Sequence, residues 1–330
     1  MKAALLMEPR RIRMGDIAEP SPAADEVLIE PAVAGICGTD ISFFLGHRIV
    51  PYPFVLGHEV IGRVTGRGAS VTKLSVGQRV IVEPNYPCGR CALCLKGRGA
   101  VCAQKGSMGV NLPGCFSEKA LAPAEFVWPL PETISDQDAA TIEPLTVSLH
   151  GLLQSGTQRG ETVAVLGCGV VGLLLIHAAV AMGIRVLAHD QHAGKVEMAR
   201  SLGAVAFEGV KDAARAWQDH DVVTVFECAG ATATVELALQ AAPRGSRVVL
   251  LGLSSSPAGF LPMRLVREGI SVQTSMIYDH PSDFAQAIDL VARGVLHPAR
   301  VVTHTYAFDS IPEALELCGT GKAGKVHIKM

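Results

Sequence analysis

The first third of the chain carries short alternating and apolar segments that predict strands rather than helices. Glu26 to Pro31 alternates like a half-buried strand, and Pro20-Ser21-Pro22 interrupts the chain before it. Residues 114–128 predict a further strand pair, and residues 136–141 begin a helical pattern. This part of the chain is therefore predicted to be rich in short strands and loops.

From residue 162 onward, buried-type apolar strands alternate with helical segments, which is typical of a parallel sheet covered on both faces. The predicted strands are 162–166, 185–189, 222–227, 247–251 and 270–276, and the predicted helices are 173–182, 193–202 and 233–241. The chain then gives a helix at 283–293, a strand at 301–306, a helix at 311–318 and a terminal strand at 325–330. We therefore expect an α/β domain inserted in a β-rich domain.

Composition narrows the class of protein. A chain of 330 residues favours two domains, and a net charge of −2 without charge runs argues against nucleic-acid or membrane-surface partners. Residues 163–184 are apolar and long enough to suggest a membrane span, but their glycines favour a buried strand, turn and helix. Nine cysteines without a secretory segment favour metal binding over disulfides, and we expect a cytoplasmic protein.

A glycine-rich loop joins the strand at 162–166 to the next helix. Its G-x-G-x-x-G spacing permits a tight turn and places a pyrophosphate at the helix N-terminus. Asp190 ends the following strand, where a carboxylate binds the ribose 2′-hydroxyl and repels a 2′-phosphate, so NAD is favoured over NADP. The predicted cofactor-binding residues are Gly167, Gly169, Val170, Val171, Gly172, Asp190 and Lys195.

Four cysteines lie within fifteen residues of one another. Cys88, Cys91, Cys94 and Cys102 form C-x2-C-x2-C-x7-C. Four thiolates at this spacing suit a closed tetrahedral zinc, which has a structural role because no position is open. An iron–sulfur cluster is the main alternative, although the fourth cysteine lacks the proline that follows it in common ferredoxin motifs.

Three further segments supply a second set of metal ligands. Cys37, His58 and Glu143 are a plausible ligand set for a zinc ion that keeps one position open for chemistry. The pattern around His58-Glu59 predicts a polar pair exposed at a strand junction. Each ligand also has a plainer interpretation: a buried cysteine beside a turn, a histidine satisfied in the core or at the surface, and a surface glutamate. In the catalytic interpretation, Thr39 touches the reacting oxygen, Asp40 hydrogen-bonds the zinc histidine, and Glu59 is a supporting carboxylate or alternative ligand.

These motifs together resemble the zinc-containing medium-chain dehydrogenases, the superfamily of alcohol and polyol dehydrogenases. The resemblance covers essentially the whole chain and rests on Gly35–Asp40, Leu56–Glu59, the four cysteines and the glycine loop. It implies a GroES-like catalytic domain at 1–146 and 278–330, with a zinc lobe at about 84–106. It also implies an inserted Rossmann domain with a doubly wound parallel sheet at 147–277.

The segment Glu143-Pro144-Leu145 resembles the sorbitol and butanediol dehydrogenase branch, whose third zinc ligand is that glutamate. Two positions depart from the branch: Ser42 stands where a histidine is usual, and Ile277-Tyr278 where sorbitol dehydrogenases have an Arg-Tyr pair. The first departure puts the usual proton exit route in doubt. The second argues against a sorbitol-like substrate.

The resemblance implies an enzyme with two zinc ions per chain, working as a homodimer or homotetramer. We expect it to transfer a hydride between NAD and a secondary alcohol, of the polyol, diol, sugar-acid or amino-alcohol class, and to give a ketone. Two alternatives stay open. One is a zinc-free enone or quinone reductase of the same fold, and the other is a non-catalytic NAD-binding protein.

Overall fold

The fold is given by a computed structural model, which describes residues 1–207 and 212–330. The chain divides into two compact units, Met1–Glu143 with Ile288–Met330, and Pro144–Ala287. The first unit is therefore made of two separate stretches of chain, and the second is inserted between them. The domain limits given above from the sequence stay a prediction.

The described residues form strands and helices in the following order. The strands are β1 Lys2–Glu8, β2 Arg11–Asp16, β3 Glu26–Ile36, β4 Phe54–Val55, β5 Glu59–Arg67, β6 Arg79–Val82, β7 Asn85–Tyr86, β8 Gly106–Ser107, β9 Ala120–Pro123, β10 Val127–Pro129, β11 Thr162–Leu166, β12 Arg185–His189, β13 Val205–Ala206, β14 Val222–Glu227, β15 Arg247–Leu250, β16 Ser271–Thr274, β17 Val302–Ala307 and β18 Lys325–Lys329. The helices are α1 Gly38–Phe44, α2 Asp136–Ala139, α3 Ile142–Gln154, α4 Val170–Ala181, α5 Ala193–Ser201, α6 Ala213–Asp219, α7 Thr232–Ala241, α8 Pro262–Glu268, α9 Ser282–Ala292 and α10 Ile311–Gly319.

The first unit is organised around the long strand β3. The main sheet has the order β10-β6-β5-β3-β18-β17, and β9 also pairs with β3. The C-terminal strand β18 runs antiparallel to β3, with Val326 opposite Ile36. This pairing brings Lys325 beside the end of β3, immediately before Cys37. The strands predicted within 114–128 exist as β9 and β10, but they pair with β3 and β6 rather than with each other.

The second unit contains a six-stranded parallel sheet with the order β13-β12-β11-β14-β15-β16. This order is that of the predicted doubly wound sheet, in which the third strand along the sheet, β11, is the first strand of the unit in sequence. All five residues of β11 are buried, as expected for a central strand covered by helices on both faces. The carboxyl ends of β11 and β14 are adjacent, with Leu166 opposite Glu227.

Three helices of the described chain, α1, α6 and α8, were not predicted, and α4 begins three residues earlier than predicted. Helix α1 follows Cys37 and contains Gly, Thr, Ile and two Phe, residues of low helix propensity. It forms because the Asp40 carboxylate accepts the Cys37 N–H, while Phe43 and Phe44 enter the core. Helix α8 has no buried face to reveal it. Helix α4 begins at Val170 because Gly169 is its N-cap.

The apolar run at 163–184 is divided between β11, α4 and the loops beside them. None of the helices in the described parts of the chain has the length and apolarity that crossing a membrane requires.

Candidate active site

The first unit brings Cys37 and His58 together through Asp40. One Asp40 oxygen accepts the Cys37 N–H at 2.9 Å, and the other accepts the Gly57 N–H at 3.0 Å. A fully buried carboxylate thus fixes the backbone before each candidate ligand. The His58 Nδ1 atom lies 3.6 Å from Asp40 Oδ1, which is beyond good hydrogen-bond distance. Within residues 1–207 and 212–330 this buried nitrogen has no hydrogen-bond partner.

The prediction of an exposed His58-Glu59 pair is wrong. His58 is 8% exposed and Glu59 is 1% exposed, because β5 runs through the middle of the main sheet. Glu59 forms an ion pair with Lys325, which also donates to the Ile36 carbonyl at 2.9 Å. The C-terminal strand therefore supplies a buried cation that compensates the carboxylate. Sequence reasoning missed Lys325, because nothing near residue 325 marks it as a partner of Glu59.

The candidate ligands form a tight group. The donor atoms of Cys37, His58 and Glu59 all lie within 4.8 Å of one another. Burial alone would lower the pKa of His58, but the charges of Asp40 and Cys37 raise that pKa well above its usual range. The surroundings thus favour positive charge at this point, whether a proton or a metal ion. A thiol, an imidazole and carboxylates are the donors that Zn²⁺ takes, so the residues present fit a zinc ion.

Glu143 does not belong to that tight group, but it is buried and its charge acts on Lys325. It occupies the first turn of α3 and is 5% exposed, so the interpretation as a surface glutamate is wrong. Burial lowers the pKa of Lys325, and the charges of Glu59, Cys37 and Glu143 raise it above its ordinary value. Glu143 thus acts electrostatically on Lys325, whereas the Glu59 carboxylate lies within the tight group itself. Thr39, the predicted proton acceptor, is half-buried in the first turn of α1.

A histidine that the sequence did not single out supports the start of α3. His327 is fully buried on β18, and its Nε2 lies 3.1 Å from Thr141 Oγ1. The Thr141 hydroxyl donates to the Gln137 carbonyl at 2.8 Å, so its oxygen accepts a hydrogen bond that the His327 Nε2–H donates. Burial and the charge of Lys325 lower the pKa of His327 to about 3, which keeps the imidazole neutral. This contact fixes the residue two places before Glu143.

The four-cysteine lobe has the dimensions of a zinc site. Tetrahedral coordination with Zn–S bonds of about 2.3 Å separates the sulfurs by about 3.8 Å. The Sγ–Sγ distances are 3.9 Å for Cys88–Cys94, 3.4 Å for Cys91–Cys94 and 3.8 Å for Cys91–Cys102. Hydrogen bonds from the Arg90 and Cys91 backbone lower the pKa of Cys88 to about 6, which favours the thiolate that a metal requires.

The second unit carries the glycine loop between β11 and α4. A Cβ atom added to Gly172 would lie 1.9 Å from the Gly167 carbonyl oxygen, so only glycine permits this closeness of loop and helix. The Asp190 carboxylate accepts the Cys168 N–H at 2.8 Å and the His192 N–H at 2.9 Å. Asp190 is therefore held at the end of β12, beside the glycine loop, where a bound ribose is expected.

The other predicted cofactor residues lie around the same loop. Gly169 caps α4, and Val170 and Val171 form its first turn, whose N–H groups have no intrahelical partners. Lys195 lies in the first turn of α5 and is half-buried. Burial and Asp190 raise the pKa of Cys168 to about 12, and the charge of Lys195 opposes that shift. Lys195 is thus close enough to the loop to act on it electrostatically.

Comparisons with known proteins identify the family. Residues 23–132 match the model of the alcohol dehydrogenase GroES-like domain, and residues 170–293 match that of the zinc-binding dehydrogenases. The chain is 30% identical to a sorbitol dehydrogenase of Bacillus subtilis (strain 168), over 96% of this chain and 93% of the relative. It therefore belongs to the zinc-binding dehydrogenase family, and its fold is a GroES-like domain with a Rossmann-like domain.

Two solved structures share this fold closely. An alcohol dehydrogenase of E. coli CFT073, complexed with NADH, superposes with a TM-score of 0.94 at 29% identity, covering 100% of this chain and 99% of the other. A zinc-binding dehydrogenase of Sinorhizobium meliloti 1021, bound to NADP, gives 0.93 at 31% identity with the same coverage. The class of protein is therefore that of the zinc-type alcohol and polyol dehydrogenases, and this chain is an enzyme of that class.

Proposed function

We propose that this enzyme transfers a hydride between a secondary alcohol and NAD, giving a ketone, with two zinc ions per chain. The observation that supports the proposal is the tight group of Cys37, His58 and Glu59, together with the buried Glu143 in the first turn of α3, in a family of dehydrogenases. A zinc ion held by Cys37, His58 and Glu143 would supply a Lewis acid that lowers the pKa of a bound hydroxyl. The four-cysteine lobe would hold the second, structural zinc.

The other steps of the proposed reaction depend on residues of the chain. The alcohol loses a hydride from carbon to the nicotinamide and a proton from its hydroxyl, and the carbon becomes a ketone. In this proposal Thr39 accepts the proton, and Asp40 keeps the two ligand-bearing segments in place. Ser42 cannot accept a proton as a histidine would, so the onward route from Thr39 runs through other groups.

We propose a preference for NAD over NADP, based on Asp190. Its carboxylate is fixed by two backbone N–H groups and would repel a 2′-phosphate. Replacing Asp190 with Ser should lower kcat/KM with NAD by about 10- to 100-fold and raise it with NADP. Unchanged selectivity in that variant would contradict the assignment, and Asp219→Ser, a substitution of an exposed acid in the same unit, is the control.

The experiment that tests the function is NADH formation across polyols, vicinal diols, sugar acids, threonine and simple alcohols, alongside zinc content. Turnover on one hydroxyl class with two zincs per chain supports the proposal and names the substrate. One zinc and no turnover, persisting after zinc is restored, favours the zinc-free reductase, which reduction of enones and quinones would then identify. Dinucleotide binding without turnover of any of these compounds favours the non-catalytic protein.

We further propose a homodimer or homotetramer, supported by the edge of the parallel sheet. Strand β16 is an edge strand, and α8 beside it has no buried residue. Apolar side chains are exposed on both, with Val266 at 81% and Met263 at 58% on α8 and Val272 at 45% on β16. Light scattering of the protein should give two or four chains, and Val272→Lys should reduce that number. A monomeric wild-type protein would contradict the proposal.

A further inference from the structure

The loop after the last strand of the parallel sheet has an unusual backbone. Strand β16 ends at Thr274, α9 begins at Ser282, and Ile277 between them has φ of +48°. A β-branched residue is strongly disfavoured in the left-handed region, because its side chain crowds its own backbone. Strain of this kind persists only where surrounding contacts hold it, and it occurs frequently at functional sites. The contacts that hold the loop around Ile277 therefore matter.

Asp283 is the residue on which the loop is fixed. Its Oδ2 atom accepts the Asp279 N–H at 2.8 Å and lies 2.6 Å from His150 Nδ1. The Asp283 N–H in turn donates to the Asp279 carbonyl at 3.1 Å. Burial would raise the pKa of Asp283, but the hydrogen bonds from His150 and Asp279 lower it below the ordinary value. The carboxylate is therefore ionised at neutral pH, and His150 Nδ1 is the donor.

The donor comes from a different element, so the bond is a tertiary one. His150 lies on α3 and is 5% exposed. The next residue, Gly151, allows α3 to come close to the sheet: a Cβ there would lie 2.7 Å from Leu251 Cδ2. The same Cβ would lie 3.3 Å from Ser275 Oγ, the first residue of the loop. Helix α3 thus contacts the beginning of the loop and, through Asp283, its end.

A metal ion is an alternative explanation for this cluster. The donor atoms of His150, Asp279 and Asp283 all lie within 4.8 Å of one another. Two ligands of one tetrahedral zinc would be about 3.3 Å apart, since each bond is about 2.0–2.1 Å. The 2.6 Å separation of His150 Nδ1 and Asp283 Oδ2 instead matches a charge-assisted hydrogen bond. The geometry favours a shared proton over a shared metal.

The position of the loop indicates what it serves. In a doubly wound sheet the dinucleotide lies along the carboxyl ends of the strands, and each half of the sheet holds one nucleotide. Asp190 assigns the adenosine half to β11, β12 and β13, which leaves the nicotinamide half to β14, β15 and β16. The loop follows β16 at that edge. We propose that His150 and Asp283 are positioning residues that hold the strained Ile277 loop ready for the nicotinamide half of the cofactor, an inference that rests on the proposed function.

The test compares three substitutions of the pair. His150→Leu removes the donor, whereas His150→Asn keeps an N–H group near the position of Nδ1. We expect NADH to bind about tenfold more weakly to His150→Leu and nearly normally to His150→Asn, measured by fluorescence titration. Should His150→Leu fail to fold, Asp283→Asn is measured instead, and we expect an intermediate loss. Arg293→Ala, which removes the exposed ion pair of Arg293 with Asp289 at the C-terminal end of α9, is the matched control.

Three outcomes would overturn the proposal. Normal NADH affinity in His150→Leu with only a lower melting temperature would show a purely structural pair. Failure of His150→Asn to restore the affinity would show that the hydrogen bond is irrelevant. Loss of a metal equivalent in His150→Leu would show a metal site. A wild-type protein that binds NADH but oxidises no alcohol would contradict the proposed function alone, because the NADH titrations would still report on the loop.

Discussion

The two groups of candidate zinc ligands differ in how the chain assembles them. The lobe takes all four thiols from one segment, Cys88 to Cys102. The proposed catalytic set takes Cys37 from the residue after β3, His58 from the residue before β5 and Glu143 from α3. The first arrangement depends on local turns, whereas the second depends on a sheet that joins distant segments.

The two groups also handle charge differently. In the lobe, backbone N–H groups stabilise the thiolates: hydrogen bonds from Cys94 lower the pKa of Cys91, opposed by burial. The proposed catalytic set instead relies on whole side chains, the carboxylate of Asp40 and the ammonium of Lys325. A buried charge needs a partner of its own because water cannot screen it. The closed site in the lobe is therefore stabilised by its own segment of chain, whereas the open, proposed catalytic site requires the tertiary structure around it.

The largest expected effect is on activity, and it distinguishes the proposed catalytic site from the four-cysteine lobe. Cys37→Ser should lower turnover by about 10⁴-fold, or about 5 kcal/mol, and should remove one zinc of two. The melting temperature should change little, because the lobe and the sheet remain. Zinc analysis with alcohol oxidation checks this, and Cys318→Ala should keep both zincs. Loss of both zincs in Cys37→Ser would show that the two sites are not independent.

The reverse experiment removes the closed site. Cys94→Ser should lose the other zinc and destabilise the protein by about 4 kcal/mol, since binding energy of a structural zinc is folding energy. Cleavage by a protease should then occur within 84–106, while molecules that remain folded should still oxidise the alcohol. Urea unfolding and limited proteolysis measure these effects. An unchanged unfolding midpoint would argue that the lobe contributes nothing to stability.

The buried ion pair of the open site gives the next effect. Glu59→Gln leaves Lys325 charged and buried, which should cost about 3 kcal/mol of stability, and Lys325→Met in addition should recover most of it. If Glu143 is the third ligand, the Glu59→Gln variant and the double variant with Lys325→Met both keep two zincs, whereas Glu143→Gln keeps only one. Zinc content with urea unfolding distinguishes the roles. Loss of zinc in Glu59→Gln, with two zincs in Glu143→Gln, would reverse the assignment.

The smallest expected effect is on the pH dependence of stability, through the hydrogen bond of His327 with Thr141 before α3. A histidine whose pKa falls from 6.5 to about 3 on folding binds fewer protons than in the unfolded chain between those values. Stability is therefore full above pH 6.5 and falls with decreasing pH, by about 2 kcal/mol between pH 7 and pH 5. His327→Gln keeps a donor for Thr141 without titrating. Its unfolding free energy should fall less over that range, and parallel pH profiles would contradict this.

The sequence by itself determined the features that depend on residues close together in the chain. The spacing of four cysteines predicted the lobe, whose sulfurs lie at zinc distances. The apolar strands and the G-x-G-x-x-G loop predicted the parallel sheet and the place of Asp190. Turns and strand periods are local properties, so a short stretch of sequence contains the information that fixes them.

Only the tertiary structure decided which polar groups are buried and what compensates them. Lys325 meets Glu59 across 266 positions of the chain, and Thr141 meets His327 across 186. His58 and Glu59 looked like an exposed pair because their burial results from the strands on either side of β5. His150 and Asp283 were passed over for the same reason. A contact between distant segments exists only once the sheet has formed, and no local pattern encodes it.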